Sequence, residues 1–453
     1  MMPLHIILVY LPTSLFITIL PILLFIAHTS NSSKPRGCRR LGLPADQSNL
    51  SDEFEFSLSP PSATTDIKIK ALFTYPLKSC RGIELSTSAV AATGLEYDRQ
   101  FCIAELIPAH TKKDGESELR WEFRTLRNKE YDKLALVSTE IWLPDPTCQD
   151  YGGDLEEVRS GGVLVVQYPR TSSSRILSMG MRLGVVEKSV SFWVPLYPQQ
   201  QYPVVNVQIW KDFPLAYDYA CHLPDSFLNF LTYNTSKKKK ITLLRTNPSS
   251  YRPIYRNAPR RDVLGYQPHT AFADAYPLHL LSLASVQDVA RRCVHAIPRL
   301  SARRFRANII VSGIQAYAED EWKRILLLPA EPEPEPEPEL FHAANPNTEG
   351  NDHQSRTNGD RKNVEIYTCC RTVRCKLPNV DPDTGYRHPR EPEKTLKGYR
   401  CIDKGGGDKL ACLGMQCVPA VENFEIRVGD TIAVLERGEH FYIRMLAPGD
   451  PEV

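Results

Sequence analysis

The sequence predicts an α+β protein of two units, one rich in strands and one mixing helices with strands, carried behind an N-terminal membrane helix. Three observations predict this. Between residues 66 and 215 short runs of alternating apolar and polar side chains recur between Gly and Pro turns, the signature of half-buried strands. Beyond 215 the period changes: PDSFLNFLTYNT and LASVQDVARRCVHA space their apolar residues three and four apart, and strand-like ITLLRT and NIIVSG follow them. Finally, residues 4–27 contain no Lys, Arg, Asp or Glu, and such a run rising about 1.5 Å per residue is long enough for a hydrocarbon layer of about 30 Å.

Residues 1–28 are therefore expected to form a membrane anchor. Lys34, Arg36, Arg39 and Arg40 follow the apolar run, which by the positive-inside rule leaves the rest of the chain in the cytosol. A cleaved signal peptide would carry a basic start and a shorter apolar stretch. Residues 29–65, rich in Ser, Pro and Asn without sustained periodicity, are expected to be a disordered tether. Residues 66–215 form the β-rich unit, opening on IKIKALFTYPL and SAVAATGLEYDRQFCIAEL, and 216–445 form the mixed unit. The second is interrupted at 329–363 by a predicted disordered insertion, because EPEPEPEPE lacks regular backbone donors and repels itself. KKKK at 237–240 reads as a solvated turn, and GGG at 405–407 as a polar one.

Composition narrows the function classes. At 453 residues and a formal charge of +2 the chain has room for two domains but no basic field, so nucleic acid is not an expected partner. Its 12 cysteines are spread too thinly for a disulfide framework, and reduced thiols are expected. The sequons at Asn31, Asn49 and Asn234 would matter only on the secretory side. No Gly-x-Ser-x-Gly elbow and no phosphate-binding Gly-rich loop is present, so electrons for any redox chemistry are expected from another protein rather than from bound NADH.

The densest cysteine cluster is CCRTVRCKLPNVDPDTG, residues 369–385. Thiolates select soft metals such as zinc, copper(I), iron–sulfur clusters or molybdenum. Structural zinc would require short Cys-x-x-Cys pairs, which this chain lacks. Taken alone, the three cysteines could equally be small buried hydrophobes.

They are followed, however, by C-x-L-P-x-V-D-P-D-T-G, EPEKTLKGYR and IRVGDTIAVL, and preceded by RFRANIIVSG and AYAEDEW. This order resembles the MOSC domain, the molybdenum cofactor sulfurase C-terminal fold. YPLKSCRGIEL, GLEYDRQF and VQIWKDFPLAYDY resemble the β-barrel domain that precedes MOSC in the mitochondrial amidoxime-reducing component family. The likeness covers most of residues 66–440 and implies a β-barrel-like N-terminal domain interlocked with a mixed β-barrel MOSC domain with flanking helices.

The chemistry that the resemblance implies can be carried over residue by residue. The cofactor would be molybdenum-molybdopterin, with Cys375 as metal ligand and catalytic centre. Lys78, Ser79, Arg99, Arg306, Asn308 and Arg374 would surround the cofactor, since a terminal phosphate needs cationic and amide donors. Asp274 would position a substrate N–OH or relay a proton. Thr372 and Val373 stand where the family often has Cys-Ser, and Asp274-Ala275-Tyr276-Pro277 where it has Asp-x-Ser-Pro. The implied reaction is reduction of N-hydroxylated compounds such as amidoximes, with electrons from a b-type haem cytochrome and its NADH-dependent flavin reductase. The implied location is the mitochondrial outer membrane, with the endoplasmic reticulum second. The alternatives are a non-reductase carrier of molybdenum cofactor or pyridoxal phosphate, and a membrane-tethered scaffold.

Overall fold

The computed structural model describes residues 34–55, 65–108, 119–171, 174–199, 201–232, 239–330 and 361–444. It is an α+β protein built on closed β-barrels with few helices. The apolar run at 4–27 lies outside the described residues; among those described, no helix is long and apolar enough to cross a membrane.

Two rings of strands organise the molecule. The first is a five-stranded closed barrel in which Phe101–Pro108, Leu119–Phe123, Val204–Gln208, Leu215–Asp218 and Ile241–Thr246 close through the parallel pair Val207 and Trp121. The second is an eight-stranded mixed sheet, in the order Ile309–Ser312, Leu278–Ser282, Cys412–Pro419, Val364–Val373, Trp322–Leu328, Thr431–Arg437, Lys68–Thr74, Ile83–Leu85. Ile309–Ser312 also pairs with Lys68–Thr74, which closes seven of these strands into a ring. A four-stranded sheet of Cys38–Arg40, Ser138–Pro144, Val163–Pro169 and Ser189–Pro195 flanks the barrel.

Each unit borrows strands from the other's sequence range. The expected boundary near 215 falls inside the first barrel, which Leu215–Asp218 and Ile241–Thr246 complete, while Lys68–Thr74 belongs to the second ring. Strand pairing at this range leaves no mark on local periodicity. One apolar core spans both, joining Leu72, Ile103, Phe227, Leu280 and Ile325.

The helical segments form where the sequence places them. Leu283–Arg292 is capped by Ser282, whose hydroxyl accepts from Ser285 N at 3.4 Å, and carries Arg291 and Arg292 in its last turn, where they complement the helix dipole. This helix makes the crossover between the parallel strands Leu278–Ser282 and Ile309–Ser312.

Three expectations are corrected. Residues 34–55 are not a free tether: Cys38–Arg40 pairs with Leu143 and its neighbours, and Leu50 is buried beneath helix Leu283–Arg292. Glu53 is buried as well, accepting from Ser301 Oγ at 2.9 Å and Ala302 N at 2.8 Å. Isolated anchors of this kind have no period to read. Lys239 is not in a solvated turn, because it pairs with Glu105 and Glu130 over the ring of Tyr131. The insertion is narrower at its C-terminal side than expected: residues 331–360 lie outside the described residues, but Arg361 pairs with buried Asp430, which also accepts from Ala330 N at 3.0 Å.

This packing makes two stability predictions. Leu50→Ala is expected to lower the unfolding free energy by about 2–4 kcal/mol in a denaturant titration, and an unchanged midpoint would mean that residues 34–55 are not docked. Glu319 is fully buried with one oxygen bonded to Ser285 Oγ at 2.7 Å and the other without a partner among the described residues. Burial, aided by Asp320, raises its pKa to about 7. A folded-state pKa above the unfolded one means that stability is lost as pH rises from the ordinary carboxylate range through 7. Glu319→Gln should therefore have a larger unfolding free energy than the parent above pH ~7, by roughly 2–3 kcal/mol in a denaturant titration, with the difference shrinking towards pH ~5.

Candidate functional site

Where the two rings meet, a cavity of 740 Å³ opens, and all eight residues singled out from the sequence line it: Lys78, Ser79, Arg99, Asp274, Arg306, Asn308, Arg374 and Cys375. The strand Lys68–Thr74 runs directly into the loop carrying Lys78 and Ser79. Phe73 N bonds Asn308 O at 2.9 Å, so that loop lies beside the turn bearing Arg306 and Asn308. Arg99 N bonds Tyr75 O at 2.8 Å, and Phe272 N bonds Arg99 O at 3.0 Å, which brings Arg99 and the Asp274 loop to the same wall.

Cys375 arrives by a different route. The strand Val364–Val373 carries register shifts between Thr368 and Cys370 and between Arg371 and Val373. Bulges bend a strand and re-aim the residues beyond them, and here residues 371–378 turn into the cavity wall. Cys369 and Cys370 stay behind, packed with Tyr276 and Val418, and burial pushes the Cys370 thiol up to about 11. Cys375 is partly exposed. Of the three clustered thiols it alone faces the cavity.

The hydrogen bonds separate residues that brace the wall from those with capacity left over. Asn308 holds two strands together, donating from Nδ2 to Phe73 O at 3.1 Å and accepting at Oδ1 from His279 N at 3.2 Å. Ser79 accepts from Leu126 N at 3.3 Å. Arg374 donates to Leu413 O at 2.8 Å, to Phe305 O at 3.1 Å and to His279 Nε2 at 2.7 Å, which pins the segment leading into Cys375. Burial lowers its pKa to about 10, and it remains a cation. The imidazole of His279 must leave Nε2 unprotonated to accept that bond, and burial together with Arg374 and Arg99 keeps the ring neutral.

Arg99 pairs with Asp98 at 2.5 Å and donates to Arg306 O at 3.0 Å. Arg99 and Arg306 both stack on Tyr75, at 4.5 and 4.4 Å. Arg306 donates from Nη1 to Cys80 O at 2.6 Å, but its buried Nη2 has no partner among the described residues, nor does the hydroxyl of Thr372. Thirteen cationic side chains line the cavity against three carboxylates, Asp212, Asp274 and Glu393. In a chain of formal charge +2 this is a concentrated positive field, suited to a polyanionic ligand.

Asp274 is the carboxylate at its centre. Lys78 Nζ lies 2.7 Å from Oδ1 and Arg127 Nη2 3.2 Å from Oδ2. Burial opposes its ionisation, yet Lys78 and Arg127 outweigh that and hold the carboxyl well below the usual carboxylate range. Asp274 is thus a hydrogen-bond acceptor at neutral pH. Lys78 is held in turn by Phe272 O at 2.7 Å.

Sequence reasoning missed Arg127, Trp210 and His279. Trp210 stands within a quoted motif but gave no sign of its role, and Arg127 shares a polar stretch with Arg124 and Lys129, with nothing local to single it out. The backbone marks the site in a way the sequence cannot: Ser79, Arg99, Trp210 and Arg306 all line the cavity in left-handed conformation, with φ of 71°, 48°, 56° and 55°. None is glycine, and backbone strain of this kind gathers at ligand clamps.

Among the described residues no group of three or more His, Cys, Asp or Glu is arranged to hold a metal. A metal at Cys375 would therefore need to bring further ligands with it. The partly exposed thiol, the excess of cations and the unpartnered Arg306 donor together fit an anionic, metal-bearing organic cofactor.

Comparison with known proteins agrees with this architecture. Residues 66–148 match the MOSC N-terminal beta barrel domain and residues 267–331 match the MOSC domain. Mitochondrial amidoxime-reducing component 1 of Mus musculus is 24% identical over 375 residues, covering 81% of this chain and 82% of that protein. Mitochondrial amidoxime reducing component 2 of Rattus norvegicus is 32% identical over 133 residues, 29% of this chain and 28% of that one. Molybdenum cofactor sulfurase of Oryza sativa subsp. japonica is 26% identical over 278 residues, 59% of this chain and 27% of the relative. The two domain matches thus fall in chain order on the two interlocked rings, and over most of both chains the protein is similar to the mouse mitochondrial amidoxime-reducing component 1.

Proposed function

We propose that this protein is a molybdenum-cofactor-dependent oxidoreductase that reduces N-hydroxylated compounds, amidoximes among them, to amidines or amines. The observation that carries the reading is a single cavity-facing thiol, Cys375, set in a cationic cavity beside the ionised Asp274. The likeness to the mouse amidoxime-reducing component over most of both chains supports it.

When bound, a molybdopterin would supply two-electron oxygen-atom transfer at a metal that Cys375 ligates. The chain's own residues set the conditions. Arg306, Arg99 and Lys78, held in place by their protein partners, would set positive charge on the wall that meets the cofactor's anionic end. Asp274, kept ionised by Lys78 and Arg127, accepts a hydrogen bond from the substrate N–OH and so fixes which atom is presented. Tyr276 and Trp210 wall the cavity with aromatic surface and exclude water from its sides.

The reading extends to partners and place. Reducing equivalents would come from a b-type haem cytochrome and its NADH-dependent flavin reductase. The apolar run at 4–27 would anchor the protein to a membrane, that of mitochondria in view of the names of its relatives. A second reading has its own observation: likeness to the rice molybdenum cofactor sulfurase favours a carrier that binds the cofactor without reducing a substrate. Pyridoxal phosphate fits less well, because the buried Lys78 is committed to Asp274 and Phe272 O.

Metal analysis and benzamidoxime turnover with a haem donor test the proposal. The full chain is expected to contain molybdenum and to turn over, and Cys375→Ala to lose most of the metal and about 100-fold or more of the rate. Molybdenum without turnover would favour the carrier. Full metal content and rate in the alanine variant would remove Cys375 from the site.

A further inference from the structure

The cations that line the cavity form two tiers. Each lining carboxylate is already taken: Asp212 by Arg252 at 3.0 Å, Asp274 by Lys78 and Arg127 at 2.7 and 3.2 Å, and Glu393 by Lys397 at 2.7 Å. Of the cations left over, two lie deep, where burial lowers the pKa of Arg306 and of Arg374 to about 10. They meet at one turn, since Arg374 Nη1 donates to Phe305 O at 3.1 Å. A phosphate of charge about −2 is matched by this pair. Arg256, Lys376 and Lys409 also line the cavity but lie further out, the two lysines exposed and Arg256 half-buried. None of the three has an ion pair or a side-chain hydrogen bond among the described residues. The inner tier can satisfy the cofactor's anionic end and leave this outer one unanswered.

Arg256 and Lys409 stand on a braced rim. They flank residues 440–444 from either side. Asn257 Nδ2 donates to Phe441 O at 3.0 Å, and buried Asp403 accepts from Tyr442 N at 2.7 Å and from Gly405 N at 3.0 Å while pairing with Arg371 at 3.2 Å. Lys404, on the same turn as Lys409, is answered by Glu439 at 3.1 Å. The spacing to the centre of the site is set by Tyr276. Its backbone belongs to the loop of Asp274, and its hydroxyl donates to Arg256 O at 2.6 Å, so the backbones that carry the carboxylate and the cation are one tyrosine side chain apart. Tyr276 and Ile254 pack together in that interval and both line the cavity, which makes it an apolar surface the width of one ring.

We propose that Arg256 and Lys409 form an anion seat at the mouth of the cavity, which selects substrates bearing a carboxylate or phosphate one ring's width from the N–OH that Asp274 receives. The N–OH end rests on the reductase reading; the anion seat does not. A cation on a fixed rim, with no partner of its own to displace, gains a charge-assisted hydrogen bond from such a substrate, whereas a substrate carrying a second positive charge meets only repulsion there.

The test compares benzamidoxime with 4-carboxybenzamidoxime and the cationic 4-(aminomethyl)benzamidoxime. It uses the full chain and two charge-matched double variants, Arg256→Gln with Lys409→Gln at the rim and Arg182→Gln with Lys188→Gln, which are exposed and do not line the cavity. Melting curves confirm folding. Dissociation constants are measured by calorimetry with no electron donor present, so that nothing turns over. The parent is expected to bind the carboxylate about 5-fold or more tightly than benzamidoxime and the ammonium more weakly, a preference that shrinks at high salt. The rim variant should lose the preference and the distant variant keep it. A parent without the preference, a rim variant that retains it, or a distant variant that loses it equally overturns the proposal, the last by showing a diffuse field in place of a seat. Turnover with a haem donor separates this outcome from the fate of the reductase reading. There kcat/KM for the carboxylate relative to benzamidoxime should follow the binding ratio, and equal values in the parent overturn the seat while the reductase stands. If no probe is turned over, the reductase reading fails and binding alone decides the seat. A rim variant whose rate falls equally for all three probes with binding unchanged also overturns the proposal, by assigning the rim to an acidic electron donor.

Discussion

The strand Lys68–Thr74 is the constraint on which the site depends. It closes the second ring by pairing with Ile309–Ser312, Leu72 opposite Ile309, and its end delivers the chain into the loop of Lys78 and Ser79. Asn308 locks that junction by bonding both Phe73 O and His279 N, a side-chain amide joining three segments of chain. Without this pairing, Lys78 would have no reason to meet Asp274, which lies 196 residues further along the chain. The interlocking of the two rings is thus the device that creates the cavity, because each wall is contributed by residues whose strands belong to the other's range.

The electrostatics of the cavity follow from that geometry. Buried cations are costly unless paired or hydrogen-bonded, and most of these are satisfied by the protein: Arg374 by backbone carbonyls and His279, Arg99 by Asp98, Arg252 by Asp212 and Ala271 O. Those bonds hold the wall rigid. The surplus of cations over carboxylates, with the buried Nη2 of Arg306 left without a partner among the described residues, gives the cavity its demand for an anion. Asp274 is the counterweight, small enough in charge to leave the field positive and placed so that its own ionisation is secured.

Several features of the sequence had a physical meaning that only packing reveals. The segment 34–55 looks like a tether because its anchors, Leu50 and Glu53, are single residues without a period, yet each enters a site already formed by helix Leu283–Arg292 and the turn at Ser301. The lysine run at 237–240 looks solvated because a charge count cannot see that Lys239 lands between Glu105, Glu130 and the ring of Tyr131. Cys369 and Cys370 are as prominent as Cys375 in sequence, and two bulges in one strand separate them, leaving the first pair in the core and the third on the cavity wall.

By itself the sequence determined the local elements: the alternation that makes Lys68–Thr74 a strand, the three-and-four spacing that makes Leu283–Arg292 a helix, and the motif order that marks the two domains. It also nominated eight residues that line one cavity, because motif resemblance carries position even where pattern carries no geometry. Only the tertiary structure decided which of those brace the wall and which retain a donor, that Arg127 and Trp210 belong among them, and that the barrel boundary lies beyond Thr246 rather than near 215. The reason is range. Propensity and periodicity act over a few residues, whereas the partners of Lys78, Arg99 and Arg306 lie roughly two hundred residues away and are chosen by strand register and ring closure, which no local window contains.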